Sequence, residues 1–458
     1  MSSETSETKS RPAGRLTVFQ GTAMYVGAVL GTGVIALPAL AAEAAGPASL
    51  LAWLALVLLS APLAATFAAL GARHPDAGGV STYARLAFGD RTAAVVGWCF
   101  YLAVPPGASA AALFGGAYVS AALGGGGTTT TVTAVALMAV VTASNAVGVQ
   151  VTGRFQFALA GLLVALLLVA VALSLPHAST DNLRPFAPHG WATIAPAAAL
   201  LVWSFAGWEA ITHLVGEFRS PRRDLPRATT AAVVIVGVLY LAVAFAVISV
   251  LGPGAAHAEA PLGELMARGL GGNARMLAAV AALLLTLGAM NAYFAGAAKL
   301  GAALSRDGAL PAWLTRGSRV GEVPRRSLGI VSSLALLTLA IVTVAGLGAR
   351  PLVLLTTGSF VAVYAVGVAA AMRLLPKRGK ARTAAVAALA AVVIMLLMSG
   401  RYLLWPLAVT GAALLYLSLK GRRADRVTSV GATSDGVPQA VVAAPSIDAS
   451  SDPIERSS

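Results

Sequence analysis

The chain has 458 residues, 58% of them hydrophobic and only 11% charged, with a net charge of +14. A soluble domain carries about 25% charged residues, so too few exist here to coat a water-facing surface, and the mean hydropathy of +0.81 agrees. The single cysteine, Cys99, excludes an intrachain disulfide framework or a thiolate metal site and reads as a small apolar helix residue.

Residues 1–15 form a polar, basic arm. The apolar run after it is about twice the length of a signal-peptide core, so no cleaved leader is expected. Apolar stretches near the roughly 20 residues that cross a bilayer then recur almost to Leu419. Twelve spans are predicted, at 17–44, 48–71, 92–122, 129–148, 154–176, 192–217, 229–252, 275–303, 328–348, 351–374, 383–400 and 402–420. Short loops separate them where Gly, Pro and charges cluster, as at Arg73-His74-Pro75-Asp76-Ala77-Gly78-Gly79. The tail, 421–458, mixes Ser, Thr, Asp, Pro and Val without helical period and is expected to be disordered. The fold class is thus an all-α integral membrane protein, with a transmembrane domain over 16–420 and the lipid bilayer as its solvent.

Basic residues set the orientation. With the N-terminus in the cytoplasm, 27 of the 32 Lys and Arg residues fall on the cytoplasmic side, leaving Arg184, Arg268, Arg275, Arg350 and Arg401 opposite. Both termini are therefore expected in the cytoplasm. The same distribution over many short loops argues against a nucleic-acid partner, which would require a gathered basic patch.

Two spans contain breakers that an anchor would not need. In the first, Val29-Leu30-Gly31-Thr32-Gly33-Val34 lies near mid-span with Pro38 one turn on; in the sixth, Trp203-Ser204-Phe205-Ala206-Gly207-Trp208-Glu209 does. These positions match if the first ten spans form two repeats of five, about 16–176 and 192–374, with 383–420 holding two further helices. Interrupted helices at matching positions in two halves point to a transporter binding site. Unwound backbone at bilayer depth is tolerated only where it is buried or lines a wet cavity. Its amides suit a carboxylate and its carbonyls an ammonium, so a zwitterion fits both. Close helix packing through small residues is the alternative reading of Gly31 and Gly33.

Glu209 sits inside an apolar span, where a carboxylate costs roughly 2.5–3.5 kcal/mol on insertion scales and marks a functional position by default. Its structural alternative is to bond the freed amides of the break. Trp203 and Trp208 flank that break and either cap a substrate or pack. His213, one turn past Glu209, is either a proton partner or a packing residue. The remaining histidines, His74, His177, His189 and His257, are scattered and show no H-E-x-x-H spacing, which argues against a membrane enzyme. No metal site or cofactor is expected.

Four blocks resemble the amino acid–polyamine–organocation superfamily. They are Gly31-Thr32-Gly33-Val34-Ile35 with Pro38; Pro75-Asp76-Ala77-Gly78-Gly79 with Tyr83 and Phe88-Gly89; Trp203 to Glu209 with Glu217 and Pro221 to Ala228; and Asn291-Ala292-Tyr293 with Ser305 to Pro311. The resemblance implies the LeuT-type fold of two inverted five-helix repeats with helices one and six broken, plus two C-terminal helices. It implies that Gly31, Thr32 and Gly33 receive a substrate carboxylate and the carbonyl of Val29 an ammonium, with Leu30 beside them. Phe205, Ala206, Gly207 and Trp208 would form the facing wall, Trp203 an occluding gate, Tyr293 a second aromatic, and Glu209 the acidic residue after the break.

Leu30 to Val34, Ala77 to Val80 and Glu217 to Pro221 are similar to the bacterial exporters of methionine and branched-chain amino acids. The function this implies is secondary active export of small neutral amino acids, aliphatic or thioether, across the cytoplasmic membrane of a bacterium. Proton coupling through Glu209 is the expectation. Some proton-coupled relatives carry a lysine in the fifth helix where this chain has Leu163, which leaves the ion open. A cationic amino acid or polyamine carrier and a non-transporting amino-acid sensor remain alternatives.

Overall fold

Apolar chain without polar surface must satisfy its backbone internally, which leaves helices or closed barrels as ways to cross a bilayer. The computed structural model describes residues 16–74, 79–148, 153–208, 218–272, 274–316 and 322–434, the side chains of 153–157, 205 and 421–434 excepted. Among the described residues every regular element is helical and there is no strand. The described part of residues 1–414 forms one compact unit, and the described part of 415–458 is a second.

In chain order the helices are α1 (Val18–Leu30), α2 (Gly33–Ala45), α3 (Ser49–Arg73), α4 (Val80–Phe88), α5 (Asp90–Leu123), α6 (Gly127–Val147), α7 (Gly153–Ser174) and α8 (Ile194–Leu201). They continue as α9 (Pro221–Leu251), α10 (Pro261–Leu270), α11 (Ala274–Arg306), α12 (Arg325–Val344), α13 (Arg350–Leu374), α14 (Lys380–Ser399) and α15 (Leu404–Ser434). Nine described segments are long and apolar enough to cross a membrane. Two of these, Gly33–Arg73 and Lys380–Lys420, each hold two helices, divided at Gly46 (φ 58°) and Gly400 (φ 51°). α15 runs to Ser434, past the boundary placed at 421 by composition. Helix elongation adds a hydrogen bond for each residue it fixes, and Arg422, Arg423 and Ala424 favour that continuation.

Two helices lie where loops were expected. α4 and α10 are amphipathic: Val80, Tyr83 and Ala84 form one buried stripe, and Pro261, Leu262, Leu265 and Met266 another. At 9 and 10 residues both are too short to span a bilayer, yet the 3.6-residue stripe suffices to dock each against the bundle. Arg85 pairs with Asp90 at 2.9 Å and Asp307 at 3.2 Å, which ties α4 to the start of α5 and the end of α11. Arg373 of α13 lies 4.5 Å over the Phe88 ring and donates to the Ala87 carbonyl at 3.0 Å. Exposed pairs of this kind stabilise little; they hold α4 in place. The middles of α5 and α13 are the most enclosed, 72% buried against 28% for α6. Those two helices therefore line the interior in which the breaks sit.

α10 closes one side of a cavity of about 280 Å³ lined by Tyr118, His257, Glu259, Glu264 and Arg275. Burial pushes the Glu264 carboxyl above its ordinary range; Arg275 and Arg268 oppose this and Glu259 reinforces it. A carboxyl with a raised folded-state pKa contributes stability that is fully present below its unfolded pKa and lost as pH rises through the folded value. Glu264→Gln should therefore raise the thermal midpoint slightly at about pH 7, with the gain vanishing near about pH 3, where the carboxyl is protonated in both states. Thermal scans of purified protein at both pH values check this; a midpoint lowered at neutral pH would mean that Arg275 and Arg268 outweigh burial.

Candidate functional site

The first break is set by Gly31. Its φ of 37° with ψ of −151° is open to glycine and strained for other residues. Thr32 follows as the N-cap of α2 but makes no side-chain capping bond. The last carbonyls of α1 and the first amides of α2 therefore lack intrahelical partners. Pro38 lacks the N–H that would bond the Val34 carbonyl. In the second break α8 passes into a tight 3-10 turn over Val202–Phe205, then Ala206 is extended (ψ 143°) and Gly207 has φ 121°. Glu209, the expected coupling residue, and His213 and Glu217 lie outside the described residues, as does the side chain of Phe205.

The fold brings the two breaks into contact. A Cβ on Gly33 would lie 2.6 Å from Ser204 Oγ and 2.9 Å from Trp203 Cδ1. One on Gly207 would lie 3.0 Å from the Ala28 carbonyl oxygen and 3.4 Å from Val29 Cα. Each break thus meets the other through a glycine. Trp203 extends towards α5 and α13: a Cβ on Gly107 would touch Trp203 Cη2 and Thr356 Cγ2, both at 3.3 Å. Val29, Leu30, Thr32, Gly33, Ala206, Gly207 and Trp208 are buried, Gly31 and Trp203 half-buried. Tyr293 stands apart from this set in being 43% exposed on α11.

Tyrosines from neighbouring helices satisfy the freed backbone. The hydroxyl of Tyr240, in α9, lies 2.8 Å from the Val29 carbonyl and 2.7 Å from the Ser204 carbonyl, so one proton serves both breaks. The Val29 carbonyl, expected to await an ammonium, already accepts from Tyr240; a carbonyl oxygen has a second lone pair. Gly207 N–H donates to the Tyr364 hydroxyl of α13 at 3.2 Å. The Tyr118 hydroxyl of α5 donates to the Ile35 carbonyl at 2.6 Å and accepts from Leu262 N–H at 3.2 Å, linking α2 to α10. Tyr25 accepts from Thr229 at 3.0 Å, and its ring lies 5.7 Å from that of Trp208. Ser204 Oγ and Trp208 Nε1 are buried and have no hydrogen-bond partner among the described residues, leaving polar capacity at the second break.

None of Tyr25, Tyr118, Tyr240 and Tyr364 was singled out from the sequence. The available signal was general: a buried tyrosine in an apolar span needs a partner for its hydroxyl. Which carbonyl it meets is a property of the packed bundle.

A family model described as "Amino acid permease" matches residues 16–419. The chain belongs to the amino acid permease family, within the amino acid–polyamine–organocation superfamily. This permease is 32% identical over 415 residues to the amino acid permease YecA of Bacillus subtilis, covering 91% of this chain and 98% of the relative. To the L-methionine/branched-chain amino acid exporter YjeH of Escherichia coli it is 28% identical over 422 residues, covering 90% and 98%. The methylthioribose transporter of Bacillus subtilis is 23% identical over 351 residues, covering 72% and 75%. These relatives are named as permeases and transporters, not enzymes, and the permease is accordingly a multi-pass membrane protein rather than a catalyst.

Removing the Tyr240 hydroxyl orphans two buried carbonyls at once while a phenyl ring keeps the contact with Trp53, whose ring lies 5.0 Å away. Tyr240→Phe should lower stability by about 1–3 kcal/mol, the cost of leaving a buried polar group unsatisfied. Unfolding of the purified wild type and variant measures it. Equal stability would mean that the carbonyls of Val29 and Ser204 find another donor.

Proposed function

We propose that this permease exports a small neutral amino acid with an aliphatic or thioether side chain across the cytoplasmic membrane. The observation that carries the reading is the direct contact of two helix breaks, joined through Tyr240. The arrangement fits a LeuT-type fold of twelve helices, in which α1 with α2 form the first helix and α8 with the segment after it the sixth. The repeats then cover about 16–176 and 192–374, and 383–420 adds two helices. Both termini lie in the cytoplasm, in keeping with the distribution of Lys and Arg.

The substrate carboxylate sits at the uncapped amino end of α2, near Gly31, Thr32 and Gly33, where unpaired amides and the helix dipole favour an anion. Its ammonium takes the second lone pair of the Val29 carbonyl. Leu30, Ala206 and Trp208 surround the side chain, with Phe205 and Gly207 completing the wall, and their apolar character supports an aliphatic or thioether group. The name of the relative YjeH supports the same class. In the described conformation the break residues are buried, so substrate enters and leaves by rocking of the two repeats, with Trp203 as the gate and Tyr293 at its approach. Leu163, buried in α7, carries no titratable group, and Glu209 is the proposed carrier of the coupling proton.

Counterflow in proteoliposomes tests the substrate class. Methionine, leucine, isoleucine or valine should compete at least about tenfold better than arginine or putrescine, a difference of about 1.4 kcal/mol in binding. Stronger competition by the cations would move the assignment to a cationic amino acid or polyamine carrier, and absence of any counterflow would favour a sensor.

Proton coupling has a separate test. Burial would raise the carboxyl pKa of Glu209 and amides of the break would lower it, so the readout is functional. Glu209→Gln keeps size and hydrogen bonding without titration. It should still exchange substrate for substrate yet lose accumulation driven by a pH gradient. Full gradient-driven transport by the variant would leave Glu209 structural.

A further inference from the structure

A cavity of about 670 Å³ opens with α3 as its floor and α9 and α14 as its walls. Its floor is a run of alanines, among them Ala61, Ala65 and Ala72, whose short side chains leave a trough beside the exposed Val234. Three cations stand at one end: Arg73, the last residue of α3; Arg222, in the first turn of α9; and Lys380, the first residue of α14. All three are exposed, and none forms an ion pair with a described acidic residue. Arg73 donates to the Ala69 carbonyl of its own helix at 3.4 Å. No described carboxylate lines the cavity.

We propose that this groove binds one anionic phospholipid, its phosphate at Arg73, Arg222 and Lys380 and an acyl chain along the alanine trough. Cations brought together from three helix ends repel one another unless an anion joins them. The amino end of α14 adds partial positive charge, and Gly379 gives it no side-chain cap, which leaves its first amides for the same anion. At α9, Asp224 accepts from the Ser220 N–H at 3.1 Å and offsets that helix end. The apolar trough selects the lipid over a soluble phosphate. It runs from the charges along the membrane-spanning parts of α3 and α9, where an acyl chain lies and water does not. Basic pockets between membrane helices at the headgroup level recognise lipids by this combination.

The test uses the full-length protein in mild detergent, titrated with phosphatidylglycerol, phosphatidylcholine or inorganic phosphate and read by native mass spectrometry and thermal stabilisation. Phosphatidylglycerol should bind at least about tenfold more tightly than phosphatidylcholine. The preference should vanish in the Arg73→Gln, Arg222→Gln, Lys380→Gln triple variant and persist in the Arg73→Lys, Arg222→Lys, Lys380→Arg variant. Ala65→Phe, at an exposed floor position, should weaken phosphatidylglycerol binding with every cation in place, which decides the matter if the triple variant fails to fold. A preference that survives the triple Gln variant overturns the proposal. So does inorganic phosphate that displaces the lipid at equal concentration, which would make this a plain anion site. A preference that emerges only after deletion of residues 435–458 would assign the groove to the chain's own acidic tail instead.

Discussion

A backbone group freed from its helix inside an apolar bundle has no water to turn to, and the rest of this structure is arranged around that constraint. The chain leaves helical geometry at Gly31 and again at Ala206–Gly207. The groups released there are bonded by tyrosines that reach in from other helices: Tyr240 from α9 to Val29 and Ser204, and Tyr364 from α13 to Gly207. Tyr118 from α5 bonds Ile35, one turn beyond the first break. An unsatisfied buried donor or acceptor costs several kcal/mol in hydrocarbon, so these hydroxyls determine which helices must surround the breaks. The two broken helices are thus held as a pair by α5, α9 and α13 rather than by each other's hydrogen bonds alone.

Glycine makes the pairing possible. Gly33 lies where any Cβ would run into Ser204 and Trp203, and Gly207 where one would press on the Ala28 carbonyl. The contact leaves the break residues buried, and a ligand would have to be admitted by movement of one break away from the other. Tyr240 is well placed to register such a movement, because its single proton is shared between carbonyls that belong to opposite sides of the contact. Tyr118 extends the same linkage outward: through Leu262 it connects α2 with the amphipathic α10, which lies outside the spanning segments.

Segments far apart in the chain acquire meaning from the same packing. Arg85 lies in α4, and Asp307 in the polar run that ends α11; the two meet at 3.2 Å. The Ser305 hydroxyl donates to the Pro311 carbonyl at 2.6 Å within that second run. Asn291 accepts from Asn145 at 2.7 Å and from Ser144 at 3.0 Å, and so joins α11 to α6. Residues that read as separate signatures are parts of a few polar clasps in an otherwise apolar assembly.

The sequence by itself determined the class of the protein, most span positions and the two breaks, because hydropathy and the conformational demands of glycine and proline are local properties. It also singled out Val29 to Gly33 and Trp203 to Trp208, the two stretches that the fold brings into contact. It did not reveal that α4 and α10 are helices, since at 9 and 10 residues both fall well short of the apolar runs by which spans are recognised. Nor did it single out Tyr240. Tyr25, Tyr118, Tyr240 and Tyr364 all sit alike within apolar stretches, and nothing nearby in the chain distinguishes them. Only the tertiary structure decided which hydroxyl meets which freed carbonyl, because Tyr240 is 211 residues from Val29 and only 36 from Ser204. A partner at such separations is chosen by how whole helices pack, which no local pattern encodes.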